Sequence, residues 1–222
     1  MADWIYVDNS NLFIEGRRVS AIKTGMARDI NDAFDNGIFD SDYRISFGKL
    51  YRFITGSYQA ESSRAVVFGS GSLENEKVRV MAEGAGFEVK IHGRNLKNKE
   101  KKVDTDITTE MVRDAYRNAA VGDTFNLVAG DKDYVPPVER LISDGMKVDV
   151  IFWDHAAREL KDVCSNFISL NKHRKGVFNG YVRLSLRKHR IVFSGCLCCG
   201  CYRQKPALKN RKEIIGGQGE TI

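Results

Sequence analysis

The sequence predicts an α/β fold in which helices pack around a central, mostly parallel β-sheet. Short runs rich in β-branched and aromatic residues alternate with amphipathic segments through the first 170 residues. This alternation favours parallel strands joined by helical crossovers. Several of the short runs are apolar at every position, as strands that are covered on both faces require. Hydrophobic residues make up 42% and charged residues 29% of the chain, which is typical of a globular protein and excludes a fibrous or disordered one.

Five strands are predicted from their short length and their β-branched or aromatic composition. They are Trp4–Val7, Ala65–Phe68, Phe87–Ile91, Phe125–Val128 and Val148–Trp153. Five helices are predicted where apolar residues recur every three or four positions. They are Ser46–Ile54, Glu74–Ala85, Asp106–Ala119, Val135–Ser143 and Ala157–Phe167.

Two segments lack these patterns. The stretch Ser20–Asp42 is polar with weak periodicity, so we expect a long, partly ordered insertion there. Beyond Asn171 the alternation ends, which places a domain boundary at that point. The 222-residue length allows one domain with a sizeable core and an appendage.

The net charge of +6 is unevenly distributed along the chain. From Asn171 onward there are 12 Lys or Arg residues against two acidic ones, so this segment carries +10 and the preceding part carries −4. A basic tail of this kind suggests attraction to a polyanion, although a solvated tail without a partner has the same composition.

The expected location follows from two features that the sequence lacks. No apolar run approaches the roughly 20 residues that cross a bilayer. The first residues also lack the basic lead and apolar core of a signal peptide. We therefore expect a cytoplasmic protein without a membrane span. Whether it forms a homo-oligomer is open.

Aspartates follow the predicted strands. Asp8 comes directly after the first strand, Asp131 and Asp133 follow the fourth, and Asp104 and Asp106 begin the third predicted helix. Because ligands bind beyond the carboxyl ends of parallel strands, these side chains can converge on one edge of the sheet. Clustered carboxylates repel each other unless a cation neutralises them, and Mg²⁺ prefers oxygen ligands. The pattern predicts a metal site that can hydrolyse phosphodiesters.

Structural roles compete with this interpretation at most of these positions. Asp104 or Asp106 could cap the predicted helix, and Asp131 could belong to a turn after Gly130. Asp133 could cap the helix whose first turn tolerates Pro136 and Pro137. Asp8 is not expected to cap a helix, so it is the residue that favours a functional site.

Four segments resemble, in their order and spacing, the NYN domains of the PIN-like nuclease superfamily, close to the LabA-like branch. The resemblance covers about Trp4 to Leu170. Its carriers are Val7–Asn11, Lys101–Asp106, Val128–Pro136 and Ala156–Leu170. It implies a three-layer α/β/α fold with a central, mostly parallel sheet. It also implies a nuclease domain at residues 1–170 and a basic, cysteine-containing tail at 171–222 that we expect to be poorly ordered.

The resemblance further implies a ribonuclease that uses Mg²⁺ or Mn²⁺ on single-stranded or structured RNA. The implied metal-binding catalytic residues are Asp8, Asp104, Asp131 and Asp133, with Asn11 as a polar partner beside Asp8. Because not every family member is active, an RNA-binding regulator without turnover is the alternative. A haloacid-dehalogenase-like phosphatase fits less well, because Ser10 stands where that family needs a second acid.

A basic segment lies directly upstream of Asp104. Lys or Arg at this place can grip the phosphates of RNA, although a Lys-rich surface loop is the plain alternative. With Asn11, the predicted substrate-binding residues are Arg94, Lys97, Lys99, Lys101 and Lys102.

Four of the five cysteines lie close together in the tail, at Cys196, Cys198, Cys199 and Cys201. Adjacent cysteines are poorly placed to surround one zinc ion, and no second pair follows them, so a zinc site is disfavoured. Reduced or acylated thiols are the alternatives. Cys164 is predicted to be a core residue.

Overall fold

A computed structural model describes residues 2–56, 62–69, 76–91 and 99–172 of the chain. Within these residues six strands form one sheet, and every neighbouring pair in it is parallel. The strands are β1 (Asp3–Asp8), β2 (Arg64–Gly69), β3 (Glu88–Ile91), β4 (Thr124–Val128), β5 (Lys147–Phe152) and β6 (Asn166–Ser169).

Helices cover both faces of the sheet in the described part of the chain. They are α1 (Asn9–Lys23), α2 (Ile30–Asp35), α3 (Phe47–Thr55), α4 (Glu76–Glu83), α5 (Lys99–Arg117), α6 (Val135–Ser143) and α7 (Arg158–Val163). A 3₁₀ turn at Lys132–Tyr134 precedes α6. The prediction of a three-layer α/β/α fold is thus confirmed.

The pleat of β1 shows how the two cores are separated. Ile5 and Val7 point to one face, where they pack with residues of α1, α3 and α4. Trp4 and Tyr6 point to the other face, where they pack with residues of α5, α6 and α7. A strand covered on both sides needs apolar residues at consecutive positions, as the sequence of β1 has.

The strand order is β3-β2-β1-β4-β5-β6, with β1 between β2 and β4. Val7 of β1 is aligned with Val67 of β2 and with Val128 of β4. After β3 the chain returns to the opposite side of β1, so successive connections leave the sheet in different directions. A crevice opens at such a point, beyond the carboxyl ends of the strands. Asp8 and the residues after Val128 border it.

Helix α1 lies outside the predicted helices, because its buried face is made mostly of small or polar residues. The buried positions are Asn9, Leu12, Gly16, Val19 and Ala21. Gly16 is needed because a Cβ atom there would lie 2.3 Å from the Tyr43 hydroxyl oxygen. The segment predicted as a partly ordered insertion contains the end of α1 and all of α2.

Helix α5 begins at Lys99 rather than at Asp106. The prediction that Asp104 and Asp106 start this helix was therefore wrong, and so was the view that Lys99–Lys102 form a loop. Lysine and glutamate are good helix formers, and Val103 extends the buried stripe of Ile107 by one turn.

Helix α7 is shorter than the predicted Ala157–Phe167 segment, because Phe167 belongs to β6. Cys164, which follows the last residue of the helix, packs against the core but is half-buried rather than fully buried, so the prediction of a core residue holds only in part. The tail beyond residue 172, with its cysteine cluster, lies outside the described residues.

Candidate active site

Asp8 ends β1 and also caps α1. Its side chain is 3% exposed, and its Oδ1 accepts the backbone N–H of Asn11 at 2.9 Å. The expectation that Asp8 would not cap a helix was wrong, because α1 follows β1 without a connecting loop. Capping occupies only one carboxylate oxygen. The other oxygen is directed towards a second carboxylate.

Tyr134 links that second oxygen to Asp104. The Tyr134 hydroxyl lies 3.0 Å from Asp8 Oδ2 and 3.0 Å from Asp104 Oδ1. A phenol carries one proton and so donates to one carboxylate at a time. The structure therefore brings together Asp8 from β1 and Asp104 from α5, which are distant in sequence.

The electrostatics of this pair are unfavourable without a cation. Burial raises the pKa of Asp8 to about 7, against the opposing N–H of Asn11, and the charge of Asp104 adds to the rise. Burial also raises the pKa of Asp104, where the charges of Asp131 and Asp133 add to it. These shifts are the cost of holding negative charges together in a desolvated place.

Asp131 and Asp133 lie in the turn after β4. Asp131 is half-buried and Asp133 is exposed, and Asp131 Oδ1 accepts the backbone N–H of Asp133 at 3.1 Å. Turn chemistry, one alternative for Asp131, is thus present. Both residues are close enough to Asp104 for their charges to act on it.

Asn11 and Gly130 fix the position of this turn. Asn11 Oδ1 accepts the backbone N–H of Gly130 at 2.9 Å, so the residue beside Asp8 holds the segment that carries Asp131. On the other side, a Cβ atom at Gly130 would lie 2.1 Å from the Phe152 ring. Glycine is therefore required for this close approach.

A comparison with known families decides the classification. The NYN domain family matches residues 4–171 of the sequence. The chain belongs to this family. The match confirms the resemblance inferred from sequence and supports a PIN-like, nuclease-type fold for this NYN domain. NYN domains are generally nucleases, so membership supports a hydrolase that acts on nucleic acid. No curated protein matches the chain significantly.

Some predicted residues of the NYN domain cannot be placed at the site. Arg94 and Lys97 lie outside the described residues. Lys99, Lys101 and Lys102 lie in the first turn of α5, where only the backbone is described.

None of the helices in the described segments is long and apolar enough to span a membrane.

The carboxylates suit a hard divalent cation, although they do not form a closed cage. Among the described side chains, no three His, Cys, Asp or Glu residues form a group that could hold a metal ion. Mg²⁺ is usually bound through one or two carboxylates, with waters and substrate phosphates completing its shell. The pair of Asp8 and Asp104 fits this pattern, and its charge repulsion would be relieved by a cation.

Sequence reasoning missed Tyr134 as part of the site. It lies in the Val128–Pro136 segment that carries the resemblance, but no role was predicted for it. A lone tyrosine has no spacing pattern that would reveal a contact with two carboxylates.

Proposed function

We propose that this NYN protein is a metal-dependent ribonuclease that hydrolyses RNA phosphodiester bonds with Mg²⁺ or Mn²⁺. The observation that carries the proposal is the pairing of Asp8 with Asp104 across the Tyr134 hydroxyl. The pair borders the crevice between β1 and β4, where ligands bind in parallel sheets. The assignment of this protein to the LabA-like branch is also part of the proposal and rests on the order and spacing of the four segments that carry the resemblance.

The carboxylates would divide the work. Asp8, Asp104 and Asp131 would supply oxygens to one or two ions. When bound, the ions would make a water more acidic and stabilise charge on the phosphate. Asp133 is exposed and would orient the attacking water through a hydrogen bond. Attack in line with the leaving oxygen would yield a 5′-phosphate and a 3′-hydroxyl.

Basic residues would bring the RNA backbone to the carboxylates. Lys99, Lys101 and Lys102 precede Asp104 in the same helix, which begins at Lys99. At a rise of about 1.5 Å per residue, the whole run lies within about 8 Å of Asp104 along the helix axis. Together with Arg94, Lys97 and Asn11, these residues are the proposed substrate contacts.

The decisive experiment compares Asp8→Asn with the parent protein on labelled single-stranded RNA, in Mg²⁺, Mn²⁺ or EDTA. Asparagine also caps helices well, so the substitution removes the charge and keeps the cap. We expect metal-dependent cleavage by the parent, none in EDTA, and a loss of about 100-fold or more in the variant.

Asp123→Asn is the matched control. Asp123 is also buried and accepts backbone N–H groups of Ala2 and Ala120, but it lies at the start of β4, at the opposite end of the sheet. Its substitution is expected to leave cleavage unchanged. Equal cleavage by Asp8→Asn would sink the proposal. RNA binding without cleavage would indicate an RNA-binding regulator without turnover. Release of phosphate from a monoester would indicate a phosphatase.

A further inference from the structure

Tyr134 sits at the point where three elements of the candidate site meet. Its side chain is 0% exposed and packs in the core with Ile107 and Val138. The ring is therefore fixed, and its hydroxyl is held between Asp8 of β1 and Asp104 of α5. The Tyr134 hydroxyl therefore keeps its position, and the two carboxylates must adjust to it.

The contacts of Asp8 show what the hydroxyl controls. Asp8 Oδ1 is held by the backbone N–H of Asn11, and Oδ2 is held by Tyr134. While the Tyr134 proton is donated to Asp8, donors on both oxygens set the rotation of the carboxylate plane. Because the hydroxyl also lies 3.0 Å from Asp104 Oδ1, its fixed position sets the spacing of the two carboxylates.

We infer that the Tyr134 hydroxyl is a positioning group that holds Asp8 and Asp104 at the spacing and orientation needed to bind a divalent cation. The inference rests on the proposed function, because it takes these two residues as ligands. Hydrogen-bond partners of metal ligands typically contribute a factor of about 10 to 100 in metal affinity.

Tyr6 provides a matched control within the same core. It is also 0% exposed, lies in the same hydrophobic cluster, and donates its hydroxyl to Asp114 of α5 at 2.7 Å. Tyrosine to phenylalanine at either position removes a hydroxyl that contacts a carboxylate of α5, and at Tyr134 it also removes the contact with Asp8 of β1. Tyr6 contacts neither Asp8 nor Asp104 through its hydroxyl, so only the change at Tyr134 alters the proposed ligands.

The test measures binding of Mn²⁺ alone to the full chain by titration calorimetry, for the parent, Tyr134→Phe, Tyr6→Phe and Asp8→Asn. We expect Tyr134→Phe to weaken Mn²⁺ binding by about 10-fold or more. Tyr6→Phe should bind Mn²⁺ like the parent, and Asp8→Asn should lose binding. RNA affinity in EDTA should be the same for both phenylalanine variants.

The outcomes separate the two claims. If Asp8→Asn binds Mn²⁺ like the parent, the proposed metal site itself fails. If Asp8→Asn loses binding while Tyr134→Phe and Tyr6→Phe bind equally, only the role of Tyr134 is overturned. A Tyr134→Phe protein that is unfolded where Tyr6→Phe is folded would make Tyr134 a structural anchor, which also overturns the inference.

A second, independent observation concerns an exposed aromatic residue beside the site. The Arg18 guanidinium lies 4.0 Å from the centre of the Phe34 ring and 4.8 Å from that of Phe39. The His155 ring meets Phe34 nearly edge-on, with centres 6.0 Å apart. Phe34 nevertheless remains 45% exposed. We call these four residues the Arg18–Phe34 surface.

This surface continues from the turn that carries Asp131. Asn11, Glu15 and Arg18 lie on one side of α1, because they are four and three residues apart. Asn11 binds the N–H of Gly130, and Glu15 binds both Arg18 and His155. His155 belongs to the segment after β5, and Ala157 of that segment donates its N–H to the Gly130 carbonyl at 2.8 Å.

We infer that the Arg18–Phe34 surface binds an unpaired nucleotide of the RNA substrate, with the base stacked on Phe34. Single-stranded nucleic acids are bound by aromatic rings combined with cationic side chains. Arg18 is paired with Glu15 and its side chain is only 16% exposed, so the exposed part of the Phe34 ring, rather than a phosphate contact, carries the inference. That the bound molecule is the RNA substrate rests on the proposed function. The stacking of a base on the Phe34 ring does not.

Tyr116 is the matched control for Phe34. It is 58% exposed and also lies near an arginine, Arg140, but it is on α5 about 18 Å along the helix axis from Asp104. The test measures binding of a labelled single-stranded oligoribonucleotide and of an RNA duplex in EDTA, so that neither metal nor cleavage is involved.

We expect Phe34→Ala to weaken single-strand binding about five-fold or more and to leave duplex binding unchanged. Tyr116→Ala should change neither. Equal affinities of the two variants for the single strand, or no binding by the parent, would overturn the inference. Because the assay needs no turnover, a failed cleavage experiment would not affect it.

Discussion

Asp8 combines a structural and a chemical role in one side chain. As the N-cap of α1 it stabilises the start of a helix, which is typically worth about 1 kcal/mol. As a buried carboxylate facing Asp104 it costs free energy whenever it is ionised. A residue chosen only for stability at this position would keep the cap and lack the charge. The charge of Asp8 therefore indicates a function beyond capping.

This conflict predicts the stability of Asp8→Asn. Because the pKa of Asp8 is raised from 3.8 to about 7, the folded state binds its proton more tightly than the unfolded state does. Ionised Asp8 therefore destabilises the fold increasingly as the pH rises from about 4 to 7. In EDTA at pH 8, Asp8→Asn should unfold at a higher temperature than the parent, with a gain in the free energy of unfolding on the order of 4 kcal/mol.

Thermal unfolding at pH 4 and pH 8 tests this directly. The gain should nearly vanish at pH 4, where Asp8 is protonated in the folded protein. If the parent is as stable as the variant at pH 8, ionised Asp8 does not destabilise the folded protein. Added Mn²⁺ should stabilise only the parent.

Helix α5 is the element that connects the site with the far end of the sheet. Asp104 lies near its start, and an ion network lies further along it. Arg64 of β2 binds Glu110 at 2.6 Å and also binds Asp114, while Lys90 of β3 binds Glu110 at 2.8 Å. This network holds α5 against β2 and β3.

The network predicts a loss of stability in acid. Burial alone would raise the pKa of Glu110, but hydrogen bonds from Lys90 and Arg64 outweigh it and hold the pKa below the usual 4.5. The stabilisation is therefore complete above about pH 4.5 and is lost as the pH falls through the lower pKa of the folded state.

Urea unfolding between pH 3 and pH 6 measures how the free energy of unfolding changes with pH, which is the slope of interest. Glu110→Gln should be less stable than the parent at pH 6, and the difference should shrink towards pH 3. The matched variant is Glu83→Gln, because Glu83 is exposed and pairs only with Arg79 of its own helix at 3.6 Å among the contacts of the described residues. It should leave the slope unchanged. A Glu110→Gln curve parallel to that of the parent would contradict the prediction.

At the scale of the whole molecule, charge is segregated along the chain. Residues before Asn171 carry −4 and the tail carries +10. In the proposed function the acidic site receives RNA, which is a polyanion, so positive charge is needed nearby, and the basic segment before Asp104 can supply it. Electrostatic attraction would then dominate RNA affinity and make it depend on salt.

Charge reversal of Lys97, Lys99 and Lys101 tests this origin. Log affinity falls linearly with log salt concentration. Each lost phosphate contact should make this slope shallower by about 0.7 for single-stranded RNA. The measurement is RNA binding in EDTA over a range of salt concentrations. Reversal of Lys147, which is exposed at the start of β5, serves as the control and should leave the slope intact. Unchanged affinity in the triple variant would remove the basic segment from the binding surface.

Local sequence predicted the strands well, because a buried strand needs an unbroken apolar run such as Val66–Phe68. It failed where packing rather than pattern sets the structure. Helix α1 packs through Gly16 against Tyr43, so its buried side has no large apolar stripe. The start of α5 was missed because lysines fit a loop and a helix turn equally well.

The sequence by itself determined the α/β class, the positions of the aspartates after the strands, and the membership of the NYN family. These are consequences of residue order, which local pattern records. Only the tertiary structure decided that Asp8 meets Asp104 and that Tyr134 lies between them. Asp8 lies more than 90 positions from both residues, and contacts at such separations depend on how helices pack across the sheet, which no local pattern encodes.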